Sequence, residues 1–455
     1  MHSYSTRALL SACFFSLTIF ISVAEAQSKP NIVLIISDDQ AWMDYGFMKH
    51  PAIQTPHLDR LTSQSALFRR GYVPTALCRP SLMSIITGRY LYEHKVSGND
   101  PSPKNAPFGQ ELSNQRRAEL ISHVDRFPTL PKLLGQAGYL SHQSGKWWEG
   151  NPTRGGFTHG MTRGFPQKGG RHGDDGLRIG REGMKPIDDF IQIANAEDKP
   201  FFLWYAPFLP HTPHNPPKRL LTKYKVEGRP PSIANYYAMC EWFDETCGDL
   251  FATLDKHGER DNTIIAYVCD NGWITDQKAS KFAPRSKQSP NEGGVRTPIF
   301  YSWPGKIQPK DRPELATSLD LLPTLLAAAG VQAPEGLPGL NLLPHLRNNT
   351  DIPRDTLFGE SCAHDIANVQ DPEASLLYRW CIEGEWKALL TYDGEMNRYK
   401  NRIMGKEKGP QLYHLINDPH ENTNLASKHP EILKRLSDKI AAWYPLKERK
   451  AYTSN

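Results

Sequence analysis

The sequence predicts an α/β fold, in which a mostly parallel sheet is flanked by helices and followed by a small C-terminal α+β subdomain with an antiparallel sheet. Short apolar runs alternate with helix-like stretches, as expected for strands buried on both faces of a parallel sheet. These runs are Asn31–Ser37, Phe201–Ala206 and Thr263–Cys269. Beyond about Leu346 the pattern changes to alternating, strand-like stretches and a final helix, which indicates a separate antiparallel sheet. We therefore divide the mature chain into an α/β domain at 27–345 and a subdomain at 346–455.

The composition describes a globular chain with a mild charge. Of 455 residues, 39% are hydrophobic and 23% are charged, and the formal net charge is +5. This length accommodates one large α/β domain with an appendage. So small a charge over so long a chain gives no support to a nucleic-acid partner.

The first 26 residues have the pattern of a secretory signal peptide. Arg7 precedes an apolar run from Ala8 to Val23, and Ala24-Glu25-Ala26 matches the cleavage site. We predict that residues 1–26 are removed and that the protein is exported, to a periplasmic or extracellular location. No later stretch reaches the roughly 18 consecutive apolar residues of a membrane span.

The first predicted strand ends in two adjacent acidic residues, Asp38 and Asp39. Adjacent carboxylates repel each other, and a hard cation with oxygen ligands relieves that repulsion most readily. The carboxyl ends of central strands are also where α/β sheets bind ligands. A helix N-cap or a solvated turn is the alternative interpretation of the pair.

Cys78 stands at the start of a helix-like apolar run and is followed by Pro80 and Ser81. The unpaired backbone N–H groups and the positive dipole end of such a helix start favour an anionic ligand or a nucleophile. A free cysteine is also commonly a small buried hydrophobe. This segment alone therefore leaves Cys78 as either a nucleophile or a core residue.

The five other cysteines of the mature chain cannot all pair if Cys78 is reserved for chemistry. Cys240 and Cys247 lie in a helical pattern from about Ser232 to Lys256, where seven residues separate their Cα atoms by roughly 10 Å, too far for a disulfide. We expect both to be buried thiols. Cys362 and Cys381 could form a disulfide, which the sequence leaves open.

Basic and histidine side chains follow two further strand-like segments. Lys146 lies at the end of one, and the stretch from Arg154 to Arg181 beyond it is rich in glycine and basic residues. That stretch could fold over an anionic ligand or form a solvated loop. His211 and His214 lie in a proline-rich loop past another strand, where a catalytic or ligand-binding role competes with simple solvation.

A second strand also ends in oxygen ligands, Asp270 and Asn271. Together with Asp38 and Asp39 they offer four side chains to one oxygen-loving ion, and we favour Ca²⁺ or Mg²⁺ over a helix N-cap or a solvated turn. The loop that follows contains Lys287, which adds a cation, and then a pair of glycines that permit a tight turn.

Together these segments resemble the type I, formylglycine-dependent sulfatases, which are the arylsulfatase-like members of the alkaline phosphatase superfamily. The resemblance covers nearly the whole mature chain, with the blocks in the family's order. The blocks are Asp38-Asp39-Gln40, Thr55-Pro-His-Leu-Asp59, Cys78-Arg-Pro-Ser81 with Thr87-Gly-Arg89, Gly145-Lys-Trp147, His211-Thr-Pro-His214, Asp270-Asn-Gly272, Glu292-Gly-Gly-Val-Arg296, and 412–419 through Asn424-Leu-Ala426. The resemblance implies an alkaline phosphatase-like fold with a large mixed, mostly parallel sheet.

The resemblance also implies a mechanism. A formylglycine-generating or anaerobic sulfatase-maturing enzyme would oxidise Cys78 to formylglycine, whose hydrated aldehyde attacks the sulfur atom. Lys146 and Lys287 would hold the sulfate oxygens, and His211 would give a proton to the leaving oxygen. The implied Ca²⁺ ligands are Asp38, Asp39, Cys78, Asp270 and Asn271.

Two positions depart from the family's pattern. Leu82 stands where the family usually has an arginine, and Arg79 or Arg89 could compensate for it. Trp148 stands where a histidine is common, and a histidine of the basic stretch could enter the site instead. The candidate substrate contacts are Trp148, Arg171, His172 and His214.

From this resemblance we predict an exported sulfatase that hydrolyses sulfate esters, with a sulfated carbohydrate or another sulfate ester as substrate. A phosphodiesterase or phosphonate monoester hydrolase of the same superfamily is a second interpretation, because the same kind of site accepts phosphoryl groups. A third is a non-catalytic binder of sulfated glycans, in which Cys78 stays a cysteine.

Overall fold

The computed structural model describes residues 29–101, 109–392 and 409–451. The signal peptide predicted at 1–26 lies outside the described residues. Within them, no helix combines the length and the apolar character needed to cross a membrane.

The larger sheet has nine strands. They are β1 (Asn31–Ser37), β2 (Ala66–Tyr72), β3 (Leu140–Gly145), β4 (His159–Gly160), β5 (Phe201–Ala206), β6 (Thr263–Cys269), β7 (Arg296–Ser302), β8 (Lys310–Arg312) and β9 (Ala316–Thr317). Their order is β4-β3-β5-β1-β6-β7-β2-β8, with β9 also beside β2. β7 is antiparallel to both of its neighbours, and the other pairs are parallel. The prediction of a large mixed, mostly parallel sheet is therefore confirmed.

Helices cover both faces of this sheet. The helices of the described residues are α1 (Pro56–Thr62), α2 (Cys78–Thr87), α3 (Leu91–His94), α4 (Gln110–Ser122), α5 (Leu130–Gln136), α6 (Lys185–Ala196), α7 (Lys218–Tyr224), α8 (Pro231–Lys256), α9 (Glu292–Val295), α10 (Leu321–Ala328), α11 (Leu343–Asn348) and α12 (Pro430–Trp443). Side chains of α2, α5 and α10 share one core, whereas those of α1, α6 and α8 share another.

The packing of β1 explains why its apolar residues follow one another without alternating with polar ones. Ile32, Leu34 and Ile36 pack into the core with α2, α5 and α10, whereas Val33 and Ile35 pack into the core with α1, α6 and α8. A strand that faces helices on both sides buries every side chain. The polar residues that follow such a strand are thereby held at a fixed place on the sheet edge.

A second sheet of four strands lies in the C-terminal part. It consists of β10 (Thr356–Cys362), β11 (Leu376–Glu383), β12 (Trp386–Thr391) and β13 (Gln411–His414), in that order and all antiparallel. Leu436 and Ile440 of α12 pack into its core. The prediction of a separate antiparallel sheet is confirmed, and the boundary proposed after residue 345 stays a prediction.

All six cysteines in the described residues are free and buried. Cys240 and Cys247 lie in α8, as expected from the helical pattern. Cys362 and Cys381 form no disulfide either, and both belong to the core of the second sheet.

Candidate active site

Two neighbouring strands, β1 and β6, end side by side and bring four polar residues together. Ser37 lies opposite Cys269 in the parallel register, so the residues that follow each strand meet at one edge of the sheet. The backbone N–H of Asp39 donates to Asp270 Oδ1 at 3.2 Å, and Asn271 Nδ2 donates to Asp39 Oδ1 at 2.7 Å. All four predicted ion ligands of the two strand ends are buried there.

Three buried oxygen atoms of this group have no hydrogen-bond partner. They are Asp38 Oδ2, Asp270 Oδ2 and Asn271 Oδ1. A buried acceptor left unsatisfied costs about 1–3 kcal/mol, and more when it is charged. In addition, ligand atoms of Asp38, Asp39, Cys78 and His211 lie within 4.8 Å of one another. The carboxylate and amide oxygens of Asp38, Asp39, Asp270 and Asn271 are ligands that suit a hard divalent cation.

Two buried lysines lie against the carboxylates. Lys146, directly after β3, places Nζ 2.6 Å from Asp38 Oδ1 and 3.6 Å from Asp270 Oδ2. Lys287 places Nζ 2.6 and 2.7 Å from the two oxygens of Asp39. Burial lowers the pKa of both lysines, but the adjacent carboxylates outweigh it and hold each pKa above its ordinary value. Both ammonium groups therefore remain charged at neutral pH.

The carboxylates respond differently to this environment. Burial raises the pKa of Asp38 well above its ordinary value, although Lys146 acts against the shift. Burial also works to raise the pKa of Asp39, but Lys287 and His211 together hold it below its ordinary value. Asp39 is thus the carboxylate that the site keeps most firmly ionised.

Cys78 is the first residue of α2 and is only 1% exposed. Its Sγ lies 3.1 Å from Lys287 Nζ and 3.9 Å from Asp39 Oδ1. Burial raises the pKa of the thiol to about 12, in spite of the two lysines. A thiol that is protonated at neutral pH is a poor nucleophile.

The two histidines of the proline-rich loop take different places. His211 Nε2 lies 3.3 Å from Asp39 Oδ2, and its Nδ1 lies 2.5 Å from the carbonyl oxygen of Thr212, to which a protonated Nδ1 can donate. Burial lowers the pKa of His211 well below its ordinary value. His214 instead packs its ring against Tyr236, and burial lowers its pKa to about 4.

The three other candidate substrate contacts form a second group. The Arg171 guanidinium lies 4.7 Å above the Trp148 ring, and the His172 ring lies 5.2 Å from the same indole. Trp148 is only 4% exposed, so it packs beneath these side chains and presents no open face. Arg171 also forms a two-point ion pair with Asp100, with distances of 3.0 and 2.8 Å.

Phe208, which sequence reasoning did not single out, connects the two groups. Its ring stacks on His211 at 4.2 Å between centroids and tilts against His172 at 5.4 Å. Lys146 Nζ lies 5.6 Å from the same ring. The basic and aromatic group is therefore continuous with the cluster around Cys78.

Arg79, directly after Cys78, forms a buried ion pair with Glu149. Arg79 Nε and Nη2 donate to the two oxygens of Glu149 at 2.8 and 2.6 Å, and both side chains are buried. The Arg79 guanidinium is therefore committed to Glu149. Leu82 lies in the apolar core, and Arg89 pairs with Glu93 instead.

Known proteins are similar to this chain over most of its length. A family model described as Sulfatase matches residues 30–331, and a model described as N-sulphoglucosamine sulphohydrolase, C-terminal, matches residues 286–444. Arylsulfatase A of Bos taurus is 30% identical over 90% of this chain and 85% of its own length. N-acetylgalactosamine-6-O-sulfatase of Bacteroides thetaiotaomicron is 24% identical, over 90% of this chain and 92% of its own.

The fold is similar to that of solved structures as well. BT4656 in complex with its substrate D-glucosamine-2-N,6-O-disulfate matches with a TM-score of 0.69 at 20% sequence identity. The match covers 91% of this chain and 97% of that chain.

Proposed function

This chain belongs to the sulfatase family, and from that premise we propose that it is exported and hydrolyses sulfate esters of carbohydrates. The observation that carries the proposal is the convergence on Cys78 of a buried lysine and an ionised carboxylate. Lys287 Nζ lies 3.1 Å from the sulfur and Asp39 Oδ1 lies 3.9 Å from it. Both come from chain segments far from residue 78, so the fold itself builds a charged centre around one side chain.

We propose that residue 78 acts as formylglycine, made from Cys78 by a maturing enzyme. The residue stands at a helix N-terminus, with its Sγ 3.1 Å from Lys287 Nζ, and burial raises the pKa of the unmodified thiol to about 12, which makes the thiol itself a poor nucleophile. Formylglycine, once formed, supplies an aldehyde hydrate whose hydroxyl can attack sulfur.

The proposed ion is Ca²⁺, held by Asp38, Asp39, Asp270 and Asn271 together with residue 78. Support comes from the three buried oxygens of this set that have no hydrogen-bond partner, of which Asp270 Oδ2 lies 3.6 Å from Lys146 Nζ. The ion would supply positive charge to a sulfate oxygen. Mg²⁺ is the alternative, and it would demand a more regular octahedral set of ligands.

The lysines and His211 would bind the sulfate group and protonate the leaving oxygen, respectively. Lys146 and Lys287 stay charged in the buried site, so they can hold two sulfate oxygens as negative charge develops on them. His211 Nε2 faces the same centre and can deliver a proton to the leaving oxygen.

The substrate class is proposed from the second group of side chains. Arg171 is 40% exposed at its side chain and pairs with Asp100, which gives one cation and one carboxylate for hydroxyl and sulfate groups of a sugar. His172 and Trp148 lie behind Arg171. The bacterial and mammalian relatives named above are sulfatases, and one of them is named for a sulfated amino sugar.

Peptide mass spectrometry across Cys78, combined with turnover of three esters, tests the proposal. The protein should be coexpressed with a maturing enzyme and assayed on an aryl sulfate, a phosphodiester and a phosphonate monoester. We expect loss of the thiol mass, gain of an aldehyde, and fastest turnover of the aryl sulfate. Cys78→Ala should abolish turnover, whereas Cys381→Ala, which removes a buried thiol from the second sheet, should leave it unchanged.

Each alternative gives a different result in the same experiment. Undiminished sulfate ester hydrolysis by protein that remains wholly cysteine would contradict the formylglycine mechanism. Faster turnover of the phosphonate or phosphodiester would instead identify a hydrolase of phosphoryl esters. Protein that keeps Cys78 as a cysteine, hydrolyses none of the three esters and still binds a sulfated glycan would be identified as a binding protein.

A further inference from the structure

The loop that carries Lys287 is bonded to both segments that meet at the active site. The backbone N–H of Gln288 donates to the carbonyl oxygen of Ala76 at 2.7 Å, two residues before the nucleophile position. Gly294 accepts a hydrogen bond from the backbone N–H of Gly272 at 2.8 Å, just past the second acidic strand end. The placement of this loop therefore sets where the Lys287 ammonium lies in the site.

Two residues beside Lys287 have an unfavourable backbone conformation. Arg285 has φ of 60° and Gln288 has φ of 67°, and neither is a glycine. A non-glycine residue with positive φ persists where the surrounding structure holds it. The loop thus depends on contacts made outside its own sequence.

Glu421, from the C-terminal part of the chain, makes three of those contacts. Its Oε2 accepts hydrogen bonds from Asn291 Nδ2 at 2.9 Å and from the backbone N–H of Glu292 at 2.8 Å. Its carbonyl oxygen accepts a hydrogen bond from the guanidinium of Arg285. Glu421 is 1% exposed, so water cannot readily replace these bonds.

Lys387, on β12 of the second sheet, completes the contact. Its Nζ lies 3.0 Å from Glu292 Oε1 and 3.0 Å from Glu421 Oε1, and its side chain is fully buried. Tyr72 of β2 donates its hydroxyl proton to the other oxygen of Glu292 at 3.0 Å. Without the lysine, the two buried carboxylates would face each other, and only the longer ion pairs of Glu292 with Arg296, at 3.5 Å, and of Glu421 with Arg285, at 3.9 Å, would offset their repulsion.

We infer that Glu421 and Lys387 are positioning residues for Lys287, through which the C-terminal sheet fixes the catalytic lysine of the larger domain. This inference rests on the proposed role of Lys287 in holding sulfate oxygens. Their polar contacts reach Arg285, Asn291 and Glu292, so both act through the loop between β6 and β7. Misplacing a charged group by about 1 Å can reduce turnover by up to 10²-fold.

The test uses Glu421→Gln and Lys387→Met, each alone and each combined with Lys287→Met. Arg354→Met is the matched control, because it breaks an equally buried ion pair with Asp320, at 2.6 Å, away from the loop. Two readouts are measured on folded, Ca²⁺-loaded protein: kcat/KM for an aryl sulfate, and the Kd of inorganic sulfate by calorimetry.

We expect Glu421→Gln and Lys387→Met each to lower kcat/KM by roughly tenfold or more and to weaken sulfate binding. In the Lys287→Met background the same substitutions should have less than about a twofold further effect, since the group they position is gone. Lys387→Arg should restore most of the loss. Arg354→Met should lower the melting temperature but leave both readouts within about twofold.

The inference is wrong if the losses persist undiminished in the Lys287→Met background, or if Arg354→Met causes the same losses. Should Lys387→Met fail to fold, Glu421→Gln, alone and in the Lys287→Met background, decides the matter in the same way. Absence of sulfate ester turnover in the unaltered protein would count against the proposed function. Sulfate binding by the variants would then still decide the positioning role.

Discussion

The buried ion pair of Arg79 and Glu149 connects the two segments that carry Cys78 and Lys146. The guanidinium makes two parallel hydrogen bonds, at 2.8 and 2.6 Å, and the two side chains are 0% and 4% exposed. Removing one partner of such a pair leaves the other charge buried and uncompensated. We therefore predict that Arg79→Met lowers the free energy of unfolding by about 3–5 kcal/mol, and that Glu149→Leu has a similar cost.

The double variant should lose much less free energy of unfolding than the two single variants lose together. Two apolar side chains of similar volume leave neither charge buried without its partner, and the only other hydrogen bond of the guanidinium to the described residues is a long one to the carbonyl oxygen of Asn99 at 3.5 Å. Arg79→Met combined with Glu149→Leu should therefore come within about 1 kcal/mol of the unaltered protein. The coupling energy between the two sites is then about 3 kcal/mol or more. Denaturation in urea, followed by circular dichroism and by tryptophan fluorescence, measures each free energy.

The exposed pair of Lys434 and Asp438 on α12 is the control, since its side chains are 77% and 66% exposed. Lys434→Met should change the stability very little, because water screens such a pair. Losses for Arg79→Met and Glu149→Leu that simply add in the double variant would refute the reasoning, as would single losses no larger than that of the control.

Three further predictions concern the ion, the substrate and pH. Ca²⁺ at about 100 times its Kd should stabilise the protein by about 2.7 kcal/mol, and this gain, measured by thermal unfolding, should largely disappear in Asp270→Asn. Arg171→Gln should raise KM for a sulfated disaccharide at least several-fold while leaving aryl sulfate turnover nearly unchanged, because the Arg171 side chain pairs with Asp100 and not with a residue of the cluster around Cys78; equal effects on both substrates would contradict that role. His94 is fully buried beside Ser84, and burial lowers its pKa from 6.5 to about 3. The unfolded chain therefore binds the proton first, so the free energy of unfolding falls as the pH drops from 6.5 toward 3. At about pH 5 this group alone lowers it by about 2 kcal/mol. In His94→Gln the free energy of unfolding should depend less on pH over the same range.

Much of the fold and of the candidate site could be predicted because the polar residues of the site directly follow apolar runs that are recognisable as strands in the sequence. β1 and β6 are short apolar runs, and the polar residues after them lie at a strand end wherever the strand is placed. Parallel neighbours end at the same edge of a sheet, so Asp38 and Asp270 were expected to approach each other. The structure brings them together with Lys146 and Lys287, although the catalytic and ion-binding roles stay proposals.

Contacts between distant polar residues could not be predicted in the same way. Asp100 and Arg171 are 71 positions apart, and Glu292 and Glu421 are 129 positions apart. Neither pair belongs to a periodic pattern, and each forms only once the surrounding helices and strands have packed. Arg79 was a candidate replacement for the arginine absent at position 82, but its sequence position could not reveal that Glu149 holds its guanidinium.

The burial of Cys78 has a consequence for the order of events in synthesis. A side chain with 1% exposure at the start of a packed helix offers no surface to a second macromolecule. If an enzyme converts this residue, we expect it to do so while the segment from Thr75 to Arg89 is still unfolded. Molecules that fold before conversion would keep the cysteine permanently. A purified sample would then contain two populations in a fixed ratio, and its specific activity would report how far conversion had proceeded before folding.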